Sequence, residues 1–284
     1  MKGLPYQNGH RIKVSILRDA YRLFQANDPL RMAAATAFFA SFALPPILII
    51  LVETLGVFGN ARTYRHGLLD QLGVTLDRNV ALQVREILRN VHYLSITPGM
   101  RIAGFVFLLF VATTLFEVIR NSLNQLWRIR LKEKPSVAFI LIYRLRSIVI
   151  ILTAGVLIAL ILWINNFFYH LVTIMAGMVW FSLVLRYQSY GRPAWSTAIA
   201  GGIFTGLLFT AGELLLHFVL SYNNMSTIYG TSTSLVLLLL FIFYCSFIFY
   251  FGACFTIALS ESTGQPIKLT SHAVNYRIKI LYPD

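Results

Sequence analysis

Acidic residues are scarce in this chain. Its 284 residues hold 11 Asp and Glu against 24 Lys and Arg, a formal net charge of +13. Charged residues of both signs make up only 12%, against ~25% in an average soluble domain. With 57% hydrophobic residues and a mean hydropathy of +0.68, that shortage excludes an ordinary soluble protein. Cysteine is scarcer still. Cys245 and Cys254 lie in one apolar stretch, where a helical turn of about 100° per residue points them to opposite faces, so they cannot pair with each other. They have no metal-binding or redox spacing. His10, His66, His92, His170, His217 and His272 are scattered and make no metal-ligand cluster. A phosphate-cradling glycine loop and a nucleophile-elbow serine are both missing from the sequence, which argues against an ATP-driven pump and a serine hydrolase. The expectation is a protein that is not an enzyme, with no metal and no cofactor.

What is present is long apolar runs separated by basic segments. The basic residues form no continuous face, so the expected partners are membrane lipids with anionic headgroups on the cytoplasmic side, not nucleic acid. The first apolar run begins past residue 30 and is too long for the core of a cleavable signal. A span needs ~20 apolar residues. The runs Met32–Phe58, Met100–Ile119, Ser147–Phe168, His170–Leu185, Trp195–Leu220 and Thr233–Leu259 predict an all-α, polytopic transmembrane bundle of six spans. Lys and Arg crowd the segments before span one, between spans two and three, between spans four and five, and after span six. The short connections Asn165–His170 and Ser221–Ser232 have none. Both termini are therefore expected in the cytoplasm of a bacterial inner-membrane protein. The chain divides into an N-terminal segment 1–31, a six-helix domain 32–259 with an outer loop 60–98, and a loosely ordered tail 260–284.

Local signals refine this outline. Ile12, Ile16, Ala20 and Phe24 recur every four residues beside Arg11, Arg18 and Arg22, which predicts a basic amphipathic helix on the inner surface. Asn27-Asp28-Pro29 reads as a stop and restart, with Asp28 as N-cap and Pro29 in the first turn. In the outer loop, Val80, Val84, Ile87, Leu88 and Val91 suggest short amphipathic helices. Pro45 and Pro46 interrupt span one, predicting a helix break sheltered inside the bundle. Ala194, Ala198, Gly202, Gly206 and Thr210 recur every four residues in span five, a ridge that admits close helix approach. Ala33, Ala37 and Ser41 do the same in span one, and the two ridges are expected to meet. Such a ridge packs helices within one chain or between two copies in a homo-oligomer.

Ionisable groups in apolar spans mark candidate polar sites. Glu53 lies toward the outer end of span one, and Glu213 about 27 Å along span five. His217 follows Glu213 by one turn, so the two share a face and either relay a proton, bind a cation or hold helices together. Glu117, Arg120, Asn121 and Asn124 form a second stripe at the inner end of span two. It serves helix-to-helix hydrogen bonding or, alternatively, gating or headgroup binding. Pairing the two small-residue ridges would bring Pro45-Pro46 and Glu53 near Glu213, an arrangement analogous to transporter midplane sites.

AAATAFFASFALPP (33–46), SLNQLW (122–127), Gly201-Gly202 and Tyr229-Gly230, in this order and spacing, give the chain a resemblance to the YihY/BrkB family of bacterial inner-membrane proteins over roughly residues 10–260. FGACF departs from the family pattern, with Cys254 where an acid is usual. The resemblance implies six helical spans, cytoplasmic termini and no established reaction. Its old ribonuclease label has no nuclease residues behind it here. Lipid or solute export is a proposal for such proteins. The resulting expectation is a transporter or exporter of a lipid-like or small solute, with a non-transporting envelope scaffold or assembly factor as the alternative.

Overall fold

The computed structural model describes residues 12–58, 82, 85, 98–133, 135–163, 169–222 and 233–276. Seven helices are defined within them: α1 (Ile12–Gln25), α2 (Pro29–Phe58), α3 (Pro98–Leu126), α4 (Val137–Trp163), α5 (Tyr169–Tyr187), α6 (Trp195–Tyr222) and α7 (Thr233–Ser262). Four short strands join them: β1 (Ile129–Leu131), β2 (Gly191–Arg192), β3 (Lys268–Leu269) and β4 (Ala273–Asn275). The expected outer-loop helices and Tyr229-Gly230 lie outside the described residues, apart from helical Leu82 and Arg85. Among those described, Val137–Ile158, Trp195–Leu214 and Val236–Ser262 are long and apolar enough to cross a membrane, at mean hydropathies of 2.0, 1.3 and 2.4. Pro29–Leu44 and Leu171–Tyr187 are shorter apolar stretches.

The bundle is organised around α7, which packs against α1, α2, α3 and α6. Tyr250 sits fully buried within it. Its hydroxyl lies 2.5 Å from Thr36 Oγ1 on α2. Thr36 already donates to the Met32 carbonyl at 2.9 Å, so Tyr250 is the donor. The stripe Ile16, Ala20 and Phe24 of α1 is also buried. Phe24 meets Phe247 and Phe251 edge-on at 4.8 and 5.3 Å. The buried stripe of α1 thus packs on α7, where ring contacts are available, while Leu17 and Tyr21 stay exposed. Asp28 takes φ +50°, tolerable for an Asp, and its carbonyl accepts the first bond of α2 from Met32 N–H at 3.2 Å.

Three expectations change here. First, α2 runs through Pro45-Pro46 without leaving the helical state. Each proline gives up its N–H bond and crowds the carbonyl one turn back, yet the helix continues through both, and Pro46 is buried in the protein. Second, the ridges of spans one and five do not form a packed pair. α2 packs on α3, α4 and α7, whereas α6 packs on α5 and α7. An added Cβ at Gly202 would stand 2.6 and 2.7 Å from the Ser182 nitrogen and Met178 oxygen of α5, and one at Gly201 2.0 Å from Thr256 Oγ1 of α7. Third, the segment after Ser260 forms two strands, β3 and β4. β4 pairs antiparallel with β1 (Ile129 opposite Asn275) and β3 with β2 (Arg192 opposite Lys268). Gly264 at φ +66° ends α7 in the left-handed turn that favours glycine.

These strands gather the ends of α3, α5 and α7 and the starts of α4 and α6 at one end of the bundle. Trp127 is the pin. Its side chain is buried, and Nε1 donates to the Ala253 carbonyl on α7 at 3.1 Å. Trp127→Phe removes that bond while keeping most of the ring area, and should cost about 1–2 kcal/mol. Thermal unfolding of the detergent-solubilised protein measures it; an unshifted midpoint would mean the indole N–H is not holding α3 to α7.

Candidate functional site

The strand end collects arginines and aromatic rings. α3 contributes Glu117, Arg120 and Asn124, α4 contributes Tyr143, Arg144 and Arg146, and α5 with its exit contributes Arg186, Tyr187, Gln188, Ser189 and Tyr190. Glu117 lies 3.7 Å from Arg144, whose Nη1 donates to Thr113 Oγ1 at 2.8 Å. The Glu117 side chain is 47% exposed, so the pair is worth at most ~1 kcal/mol. It orients Arg144 more than it stabilises the bundle. Asn121, on the same stripe, is exposed.

Arg120 is different, being 95% buried. Its Nη2 reaches Ser147 Oγ at 3.4 Å, and its guanidinium stands 4.9 Å from the Tyr143 ring centroid. Arg146 approaches the Tyr143 and Tyr187 rings at 5.5 and 5.3 Å. Cation–π contact offsets part of the loss of hydration, but a buried charge ordinarily needs a counter-charge as well. Among the described residues neither Arg120 nor Arg146 forms an ion pair, and Arg120 Nε and Arg146 Nη2 are buried without a protein hydrogen-bond partner. Burial pushes the Tyr190 hydroxyl above its ordinary value, against the pull of the nearby Arg120. It therefore stays a neutral phenol at physiological pH and supplies no negative charge.

Asn124 builds the floor. Its Oδ1 accepts from Ser189 Oγ at 2.8 Å and from the Tyr190 backbone N–H at 3.0 Å, and Ser189 Oγ in turn accepts the Gly191 N–H at 3.1 Å. Gln188 is buried and donates from Nε2 to the Phe116 carbonyl of α3. The turn after α5 is thus tied to α3 at three points, which places Arg186 and Arg192 at the mouth of the cluster. Hydropathy reads RYQSYGRP (186–193) as a loop and misses these residues. Its mixture of arginine, tyrosine and amide side chains between two apolar runs is the signal that marks a built junction.

The remaining sequence candidates fall elsewhere. Glu213 is half-buried on α6, within electrostatic reach of Cys245 on α7. The side chains of Pro45, Glu53 and His217 lie outside those described. Ala198, Gly202 and Gly206 are buried, Ala194 is half-buried, and Thr210 donates to the Gly206 carbonyl within its own helix. Cys254 is fully buried in α7. Among the described residues no group of His, Cys, Asp and Glu could hold a metal ion.

Long apolar helices closed at one end by a cationic, aromatic junction define an integral membrane protein. Residues 20–277 match the family model described as virulence factor BrkB, and the chain belongs to that family. It is similar to the UPF0761 membrane protein of Stenotrophomonas maltophilia (strain R551-3), 24% identical over 87% of this chain and 60% of the relative. A UPF0761 membrane protein of Pseudomonas aeruginosa (strain LESB58) is 23% identical over 81% of this chain and 59% of its own. That of Aliivibrio salmonicida is 22% identical, over 90% and 87%. The chain thus spans about 60% of the length of the Stenotrophomonas relative. No solved structure matches it.

Proposed function

We propose that this chain is a six-span bacterial inner-membrane protein, both ends cytoplasmic, that moves or gates a lipid-like or small anionic solute and catalyses no covalent chemistry. The observation that carries this is the pair Arg120 and Arg146. They are drawn into the bundle between α3, α4 and α5 with guanidinium N–H groups left over and no carboxylate paired to them among the described residues. An anion passing the strand end would meet those donors and relieve the buried charge. Lys and Arg crowding at this end supports its cytoplasmic placement.

Flux of a headgroup-labelled phospholipid in proteoliposomes, read by a membrane-impermeant quencher, tests it. Arg146→Gln and Arg120→Gln should each slow flux by about tenfold or more, the loss expected when a charged hydrogen bond is removed. Arg120→Lys keeps the charge without the planar fork and should fall in between. Wild-type flux no faster than in protein-free vesicles would exclude transport of such a solute and favour a scaffold.

A further inference from the structure

A second basic feature lies outside the Arg120–Arg146 pair. A cleft of about 730 Å³ opens where β2 and β3 meet the start of α6, and its wall carries Arg186, Arg192, Lys268 and Trp195. Among the described residues no Asp or Glu lines it. The register of the two strands sets Arg192 directly opposite Lys268. Like charges directly opposed across a strand pair repel, so this placement works against the fold unless something negative sits between them. Arg186 is already fixed. Its Nη1 donates to the Pro193 carbonyl, its guanidinium stands 4.2 Å from the Trp195 ring centroid, and its Nε is buried without a protein partner.

The far side of the cleft is held by the segment after α7. Ser196 Oγ donates to Gln265 Oε1 at 2.6 Å, and Thr270 donates to the Tyr190 carbonyl from both N–H (3.1 Å) and Oγ1 (2.9 Å). The cations are therefore presented by a tied framework rather than by loose loops. Trp195 is exposed at the first residue of an apolar helix, where tryptophan marks the headgroup level of a bilayer. Two guanidinium groups and an ammonium at that level offer more charge and more donors than the two oxygens of one carboxylate can use, and suit a phosphate with its three acceptor oxygens.

We propose that this cleft binds the phosphate group of an anionic molecule, held between Arg192 and Lys268 with Arg186 behind. The phosphate belongs either to a lipid headgroup or to a soluble phosphate ester. This does not rest on transport: a protein that moved nothing could still hold a headgroup here.

Native mass spectrometry and thermal unfolding of the purified full chain in mild detergent test it, with the exposed pair changed together as Arg192→Gln/Lys268→Gln. The probes are phosphatidylglycerol, phosphatidylcholine and glycerol 3-phosphate. Wild-type protein should retain phosphatidylglycerol and gain thermal stability from it. The double variant should bind it about tenfold less or weaker still, with phosphatidylcholine unchanged. Glycerol 3-phosphate binding that is lost in the variant, without a matching loss of phosphatidylglycerol, would uphold the phosphate site and assign it to a soluble ester. Equal retention of both phosphate probes by wild type and variant would overturn the proposal. So would a ligand-free variant that melts well below wild type, because the opposed cations would then be structural. Flux measured on the Arg120 and Arg146 variants is a separate readout, so either proposal can fail alone.

Discussion

Gly202→Ala is expected to lower the thermal midpoint well below that of the wild type. The new Cβ would stand 1.9 Å from Ser182 Oγ, 2.6 Å from the Ser182 nitrogen and 2.7 Å from the Met178 oxygen. A hydroxyl can rotate away, but two backbone atoms of α5 cannot, so the helices must part along their shared face. Overpacking of this kind costs about 3 kcal/mol. Two other glycines calibrate the result. At Gly206 the nearest atom is Met178 Cγ at 2.7 Å, on a flexible side chain that can move, so alanine there should cost less. At Gly177 nothing lies within 4 Å, and alanine should be neutral or gain up to ~1 kcal/mol from helix propensity. The measurement is unfolding of the three variants side by side. A Gly202→Ala midpoint no lower than that of Gly206→Ala would mean α5 and α6 are not in the close contact described.

Asn124→Ala should be nearly as damaging, and for a different reason. Asn124 is 5% exposed and accepts two hydrogen bonds, one from the Tyr190 N–H, which makes no other hydrogen bond among the described residues. Stranding that donor and the Ser189 hydroxyl in the interior costs about 2–4 kcal/mol. Because Ser189 Oγ also accepts the Gly191 N–H, the loss should spread to β2 and weaken phosphate binding at Arg192. Asn124→Asp separates the roles of the amide. It keeps the accepting oxygen and gives up only Nδ2, which has no protein partner, and it places a carboxylate one helical turn from Arg120. It should therefore retain more stability than Asn124→Ala at neutral pH. Hydrogen exchange at Tyr190 N–H, with unfolding midpoints, measures both effects. Equal loss in the two variants would show that the packing of the amide matters and its oxygen does not.

Much of the bundle is legible in the chain because apolar length and helical period are local properties. The long helices fall where the apolar runs fall, and the Ile16, Ala20, Phe24 stripe and the Asp28 start of α2 follow from spacing and chemistry alone. What cannot be read locally is the partner of each face. The small residues of α6 announce a close approach but not to whom. The eight residues of RYQSYGRP (186–193) already favour α5, because short connections leave consecutive helices adjacent. β1 to β4 are two or three residues each, too short for a period-two pattern, and they exist because the turns around them are tied to α3 and α6. Gln188 and Ser189 look like solvated loop residues and are only 1% and 0% exposed, since their hydrogen-bond partners lie on α3, far away in sequence. Only the approach of Glu53 to Glu213 depended on pairing α2 with α6, and α6 packs on α5 and α7 instead; the side chains of Glu53 and His217 lie outside those described.

The pairing of β1 with β4 also sets a timetable for biogenesis. β1 leaves the ribosome directly after α3, whereas β4 is made only after α4, α5, α6 and α7. At roughly 5–20 residues per second, β1 waits on the order of ten seconds for its partner strand. Through that interval Ile129 lacks the cover it has in the finished fold, and Lys132 N–H has not yet met the His272 carbonyl, 2.9 Å away once assembly is complete. The β1–β4 pair closes only after α4 to α7 have been made, so completion of the cationic cleft follows synthesis of those helices. A nascent chain cannot hold its phosphate there until α7 is in place.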